Sequence, residues 1–333
     1  RGKELVYQNE FIYWFNHKHE PKFDGKNFFI KNNTVVFGGG LASLDVVKIV
    51  MMELVKKQLY FKKGIDIDLF TIEKKGVDAI LEENNCTLKE LEIEPAKLVY
   101  RRTAREMPLK SPLDQTDEKI EAAKNVSEKL LNKYVEKYLF EFIPLSIPKE
   151  FVVENEKLKG IVLQKNKLYN GKLIPQEEFK TIETEMVISS IGSIPEQING
   201  LEYEHSSLKM KGEQDYHVYG FDNVFAIGNA VTGRGNIQES KQHGKRMTQK
   251  IIDVHLTEDE FEKWLTSVNN EITSNVKTEV DNIVLEIAKQ KIQPDTIIQQ
   301  IFEKTELIHK KYNYKNYLDW VQRNLPIRLE EMR

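Results

Sequence analysis

Residues 34–45 read TVVFGGGLASLD, and this stretch decides the fold. The run TVVF is short, apolar and β-branched, as a buried strand requires, and it ends in glycine. From residue 41 to about residue 58, Leu44, Val47, Met51, Leu54 and Val55 recur at spacings that share one face of a helix. Strand, glycine turn and helix together open a βα unit. Within the turn, Gly38 and Gly40 flank Gly39 and are followed by Leu41, Ala42 and Ser43, a Gly-x-Gly-x-x-Ser pattern. One glycine permits a tight turn, the next lets backbone approach a pyrophosphate, and a small third residue lets helix and strand pack closely. The start of the helix then presents free N–H groups and a partial positive charge to phosphate. The expectation is a dinucleotide site; the bland alternative is a glycine-rich turn without a ligand. Asp45, inside the first helical turns, complements the helix dipole and receives no chemistry from its spacing.

Outward from this unit, IDIDLFTI (65–72) alternates like a strand, and a polar helical insert follows at roughly 76–94. KLVYRR (97–102) reads as another strand, and residues 117–140 as a long amphipathic helix. Residues 150–185 alternate and turn at Lys159-Gly160 and Asn170-Gly171, the pattern of an antiparallel meander. Two more apolar runs end in glycine: EMVISSI before Gly192 and VFAI before Gly228. Residues 1–28 carry aromatics without clear period and read as a connector. The glycine-free C-terminal stretch is helical, with breaks near Pro294 and Pro326.

Nucleotide folds of this kind choose their cofactor at the end of the second strand, where an acid binds the ribose 2′-hydroxyl and arginines bind a 2′-phosphate. Both signals are present. Glu73 follows IDIDLFTI, while Arg101, Arg102 and Arg105 follow KLVY. Guanidinium groups meet phosphate through paired donors, so the arginines are the stronger signal and point to NADP(H). The competing reading of RRTAR is a solvated basic turn balanced by Glu106. VFAIGNAVTGRGNIQES (224–240) holds a second glycine loop before a helix start near Asn236. Such a loop can hold a phosphate or stabilise negative charge on a reduced flavin ring.

Composition removes other classes. The chain has 333 residues, enough for about two domains. A net charge of −3 gives no basic excess for nucleic acid. No apolar run is long enough for a membrane span, and the first residues lack a signal-peptide core, so the expected setting is cytoplasmic. The single cysteine, Cys86, forms neither a CxxC redox pair nor a four-cysteine cluster. The histidines are scattered, and His17 and His19 lack partners with metal spacing, so no metal is expected. His243 follows the second glycine loop and reads as a surface helix residue that could approach a bound ring. No nucleophile motif or P-loop lysine appears, so no acid–base residue is assigned.

Taken in order, GGGLASLD (38–45), YRRTAREMP (100–108), VISSIGSIPEQINGL (187–201) and VFAIGNAVTGRGN (224–236), with QNEFIYWFN (8–16) before them, resemble the FAD- and NAD(P)-dependent pyridine nucleotide oxidoreductases. The likeness covers residues 1 to about 250 and is similar to adrenodoxin reductase (ferredoxin–NADP reductase) and the small subunit of glutamate synthase. It implies an α/β, three-layer Rossmann-like FAD/NAD(P)-binding fold with a C-terminal helical extension. The implied organisation is a connector and remnant of an FAD domain at 1–28, an NADP-binding domain at 29–193, the distal part of the FAD domain at 194–250 and helices at 251–333. The resemblance places Gly38, Gly40, Leu41, Ala42 and Ser43 on the NADP pyrophosphate and Arg101 and Arg102 on the 2′-phosphate. Gly192 falls beside the nicotinamide half, Gly228 and Asn229 at the flavin ribityl-phosphate side, and Gly235, Asn236 and Ile237 near the isoalloxazine edge. It implies hydride transfer from NADPH to FAD and electron delivery to a carrier protein or small acceptor.

Two departures shape the expectation. The family begins with an FAD-binding βαβ unit carrying its own GxGxxG, and no such loop precedes residue 38. A fragment, a separate chain that supplies the unit, or a protein without FAD are the readings this leaves. The alternative to a reductase is a non-catalytic NADP(H)-binding subunit or fragment that works with a separate FAD-binding chain. Asn229 stands where the family has Asp, and an amide still hydrogen-bonds a ribityl hydroxyl. The insert at 60–96 and the tail at 255–333 suggest a distinct branch with its own partner.

Overall fold

A computed structural model describes residues 5–112, 116–192, 196–204, 207–212, 216–232, 237–255 and 258–325. The chain divides into two compact units, one reaching Ile194 and the other Pro195–Ile327.

The first unit's described residues begin with β1 (Leu5–Tyr7) and α1 (Gln8–His17), so part of the stretch expected to be a connector is regular structure, while residues 18–28 are turn and irregular chain. β2 (Val35–Phe37) leads into α2 (Leu41–Lys63), which ends at Gly64 in the left-handed region, a position glycine occupies without steric cost. Next come α3 (Leu69–Lys75), α4 (Val77–Glu83) and β3 (Lys97–Val99). α5 (Asp117–Tyr138) precedes β4 (Glu141–Ile143). The strands β5 (Ser146–Glu154), β6 (Lys157–Tyr169) and β7 (Lys172–Glu183) form the antiparallel meander, and β8 (Val187–Ser189) returns to the main sheet.

That main sheet has the order β1-β8-β2-β3-β4, and every pair in it is parallel. Its two faces are set by alternation along the strands. Val6, Val36, Leu98 and Ile188 point to one side, into a core with Phe11 and Trp14 of α1, Leu44, Val47, Met51 and Leu54 of α2, and Leu131 of α5. Val35, Phe37, Val99 and Val187 point to the other, against Leu158, Ile161, Leu163 and Ile182 of the meander. Helices, parallel sheet and antiparallel sheet are the three layers, and strands buried on both faces explain the unbroken apolar runs in the sequence.

The expected strand at 65–72 is a correction. Asp68 accepts hydrogen bonds from Thr71 N at 2.9 Å and Thr71 Oγ1 at 2.6 Å, capping α3. An N-cap overrode a short period-two pattern whose only buried member is Ile72. The same geometry keeps Glu73 on a helix.

The second unit contains β9 (Tyr203–Glu204) and β10 (Ser207–Leu208), then the short α6 (Asn229–Thr232) and α7 (Ile237–His255). VFAI forms no strand: Phe225 makes only an isolated bridge with His217. Among the described residues no ladder extends that bridge. α8 (Glu258–Lys289), α9 (Asp295–Lys311) and α10 (Tyr317–Asn324) complete the described chain. Pro294 occupies the N-cap of α9, where its missing N–H costs nothing. The second expected break, at Pro326, lies outside the described residues. Apolar residues of these helices, such as Ile283, Ile287, Ile301 and Leu318, are exposed. No helix among the described residues is long and apolar enough to cross a membrane.

Candidate functional site

The chain runs from β2 to β3 and β4 on one side, then returns through β8 to the other side of β2. The topological switch therefore falls between β2 and β8, and crevices at such points, outside the carboxyl ends of the strands, receive ligands in open parallel sheets. Gly38–Ser43 follow β2, Tyr100–Arg102 follow β3, and Ser190–Gly192 follow β8. Three of the segments singled out in the sequence thus meet at one edge.

The glycines differ in what they do. A Cβ on Gly38 would strike the carbonyl oxygen of Ser190 and come within 2.6 Å of the Ser43 Cβ. Gly38 is thus the close-packing residue between β2, β8 and α2. A Cβ on Gly39 would enter the Tyr100 ring. Gly40 has open space around it and is the N-cap of α2, in extended backbone. No side chain caps this helix and no acid lies in its first turn, so its first N–H groups and positive dipole end have no side-chain cap and no carboxylate in that turn. Leu41 and Ala42, in that first turn, are exposed, while Ser43 is fully buried and donates its hydroxyl to Gly40 O at 2.6 Å.

Beside this turn, the Tyr100 hydroxyl donates to Glu106 O at 3.1 Å, and burial raises the phenol above its ordinary pKa despite the Arg101 and Arg102 charges. The arginines are not equivalent. Arg101 is exposed and has no ion-pair partner among the described residues. Arg102 Nη1 donates to Glu106 Oε1 at 3.0 Å and to Gly171 O at 3.1 Å. Arg105 turns toward α5, pairing with Glu121 and with Glu128 at 3.5 Å and donating to Asn125 at 2.8 Å. Glu106 also accepts from Thr103 N at 3.3 Å and Thr103 Oγ1 at 3.1 Å, closing a 3₁₀ turn at Ala104–Glu106. This loop is anchored to the meander by Ser146 N to Tyr100 O at 3.1 Å and Leu145 N to Arg102 O at 3.2 Å.

Gly192 lies in the left-handed region at φ 115°, next to the exposed Ile191. Ser190 is held by Phe37 O, which its N–H reaches at 2.7 Å, and by a side-chain hydrogen bond with Gln8 at the start of α1. Gln8 was not singled out in the sequence, because its role depends on β1 lying beside β8.

Glu73 sits elsewhere. Its carboxylate pairs with Lys48 at 2.8 Å, and Lys48 also reaches Asp45 at 3.1 Å. Burial works to lower the Lys48 pKa, but the two carboxylates outweigh it and raise the pKa well above the usual lysine value. Tyr138 donates to the Glu73 carbonyl at 3.1 Å and its phenol is pushed up to about 12, chiefly by burial. This cluster ties α3 and α5 to α2. The next strand along the chain after β2, which pairs with it, is β3, so the residues at the second-strand end are Tyr100 and the arginines, not Glu73.

The second glycine loop is built differently. Gly228, at φ 69°, donates its N–H to His243 Nδ1 at 2.9 Å, and Asn229 donates its N–H to Ser240 Oγ at 3.2 Å. Burial, then the Arg246 charge, lower the His243 pKa, which keeps the ring neutral and able to accept. Ile237 opens α7 and is exposed; Gly235 and Asn236 lie outside the described residues. Cys86 is buried, and burial pushes its thiol up, which suits an unreactive side chain. No group of three or more potential metal ligands exists among the described residues.

Parallel sheet, glycine turn at the switch point and uncapped helix define a Rossmann-like α/β architecture. The solved structures it matches include a point mutant of FprA from Mycobacterium tuberculosis, at 19% identity and TM-score 0.51, covering 75% of this chain and 58% of that one. Another is M. tuberculosis FprA in complex with NADPH, at 18% identity and TM-score 0.50, covering 89% of this chain and 62% of that one. A third, at 18% identity, TM-score 0.51 and the same coverage as the first, reports a covalent modification of NADP+ in FprA, described as an oxidoreductase. The chain thus spans about three fifths of the length of these structures. At this identity the likeness establishes the fold. No family model matches the chain, and no curated protein sequence does.

Proposed function

We propose that this chain binds NADP(H) at the carboxyl edge of its parallel sheet and serves as the nucleotide-binding part of an NADPH-dependent flavoprotein oxidoreductase. The observation that carries the reading is the juxtaposition of an uncapped α2 N-terminus, opened by Gly40, with Arg101 at the end of the adjacent strand. In this reading the N–H groups of Leu41 and Ala42 take the pyrophosphate. Gly38 and Ser43 hold helix and strand close, and Gly39 leaves room for Tyr100 beside the turn. Arg101 takes the 2′-phosphate, and Gly192 lines the far side of the switch point. A bound NADPH supplies a hydride, and the protein's part is to orient it. The solved FprA complex with NADPH shares this fold, which supports the choice of nucleotide. A single cysteine fits a reducing, cytoplasmic setting.

The FAD half of the reading rests on the resemblance of residues 224–236. The described part of that loop does not by itself accommodate an FAD phosphate, because the donors of Gly228 and Asn229 are committed to His243 and Ser240. This observation favours a second reading, an NADP(H)-binding subunit that works with a separate FAD-binding chain. In the first reading the electrons pass on to a carrier protein or small acceptor.

Calorimetric titration with NADPH and NADH tests the nucleotide site. NADPH should bind more tightly, and Arg101→Ala should cost NADPH about tenfold, the scale of one charge-assisted hydrogen bond, while leaving NADH nearly unchanged. Equal losses would sink the NADP assignment, and no binding of either nucleotide would sink the site. Added FAD whose visible bands shift on binding separates the two functional readings: a shift favours the flavoprotein, and its absence favours the subunit.

A further inference from the structure

We propose that Glu106 sets the preference for NADP(H) over NAD(H), by holding Arg102 away from the 2′-phosphate that Arg101 takes. The inference rests on the nucleotide reading above and goes beyond it in naming a residue that opposes the arginines.

Three cations follow β3, and their states differ. Arg101 is exposed without a carboxylate partner among the described residues. Arg105 is committed to α5 through Glu121 and Glu128, carboxylates on a separate element. Arg102 is held inside its own turn by one carboxylate, Glu106, at 3.0 Å. Both side chains of that pair are largely shielded, with 29% and 17% of their surfaces exposed, so solvent screens the attraction less than it would on an open surface. Glu106 cannot easily swing away, because its second oxygen accepts from both the Thr103 N–H and the Thr103 hydroxyl. The backbone is no freer: Leu145 N holds the Arg102 carbonyl and Asn166 Nδ2 donates to the Arg101 carbonyl at 3.4 Å.

The consequence is electrostatic. A phosphate dianion approaching this edge meets one unopposed guanidinium and one already neutralised by a neighbour. Glu106 therefore lowers the gain from a 2′-phosphate without touching the pyrophosphate contacts, which are common to both nucleotides.

The test measures dissociation constants of NADPH and NADH for the full chain carrying Glu106→Gln. The amide keeps a carbonyl oxygen for Thr103 but carries no charge to hold Arg102. The NADH-to-NADPH ratio of dissociation constants should rise about tenfold, through tighter NADPH, as a second charge-assisted contact becomes available. Adding Arg102→Ala on that background should abolish the rise, whereas Arg102→Ala alone should move the ratio much less. Thermal melts confirm folding; where Glu106→Gln unfolds, Glu106→Asp replaces it, since the shorter side chain still caps the turn but no longer spans to Arg102. An unchanged ratio in a folded variant overturns the inference while leaving the nucleotide site standing, as does a rise that survives removal of Arg102. Failure of the unaltered chain to bind NADPH overturns the nucleotide reading itself, and this inference with it.

Discussion

The two glycine loops, at 38–43 and at 228–237, look alike in sequence, and the described part of the second differs from the first in what its backbone has left to offer. The first ends in Gly40, which caps α2 without a side chain, and no carboxylate lies in the first helical turn. The second has already spent the donors of Gly228 and Asn229 on His243 and Ser240. A helix N-terminus attracts phosphate only while its donors lack partners. A glycine motif therefore marks where backbone can approach a ligand, and the side chains one helix later decide whether it does.

The largest expected effect tests the packing inside the first loop. Gly38→Ala places a methyl group against the Ser190 carbonyl, part of a strand end that is itself held by Phe37 O and Gln8. The cost should be about 2–3 kcal/mol, the upper range for an overpacked core, measured from the midpoint of denaturant unfolding. Gly40→Ala adds its methyl to open space and should cost less than about 1 kcal/mol, while blocking nucleotide approach. Similar stability losses for the two variants would remove the distinction between a packing glycine and an approach glycine.

The sequence shows the parallel sheet and its site because burial on both faces forces unbroken apolar runs, as at 34–37 and 187–189, and because glycine is the only residue that fits at Gly38. It also shows the long helices and the meander, but not both of the meander's turns: the one expected at Lys159-Gly160 falls inside β6, and the chain turns instead at Asn155-Glu156, both at positive φ. What it hides has a common physical cause: a short pattern overruled by a local hydrogen bond or by a distant neighbour. Asp68 capped α3 against the alternation of 65–72. Residues 224–227 are apolar but, among the described residues, have no partner strand beyond the bridge at Phe225. β1 is readable only once β8 lies beside it, since its three residues carry little pattern of their own. The differing commitments of Arg101, Arg102 and Arg105 depend on α5 and on Glu106, which adjacency in the sequence does not reveal.

A smaller effect is expected in the second loop. Gly228 adopts φ 69°, where an L-residue pays roughly 1–2 kcal/mol. The atom a new Cβ would meet is Ser240 Oγ at 2.8 Å, the end of a side chain that can rotate away. Gly228→Ala should therefore destabilise less than Gly38→Ala, by about 1–2 kcal/mol in the same unfolding assay. A larger loss than at Gly38 would mean that the second loop is the more tightly built of the two.

The smallest effect depends on pH. His243 accepts the Gly228 N–H through Nδ1, so the neutral ring is the form the loop requires. Burial and the Arg246 charge lower its pKa in the folded chain, against about 6.5 when unfolded. The unfolded state then binds the proton more readily. The contribution to stability is full above about pH 6.5 and is lost as pH falls through the depressed folded value. His243→Gln supplies a carbonyl acceptor that does not titrate. Between pH 7.5 and pH 5, the melting temperature of the unaltered chain should fall more than that of the variant. Parallel curves would mean that the His243 contact contributes no proton-linked stability, and that the second loop is closed by Ser240 alone.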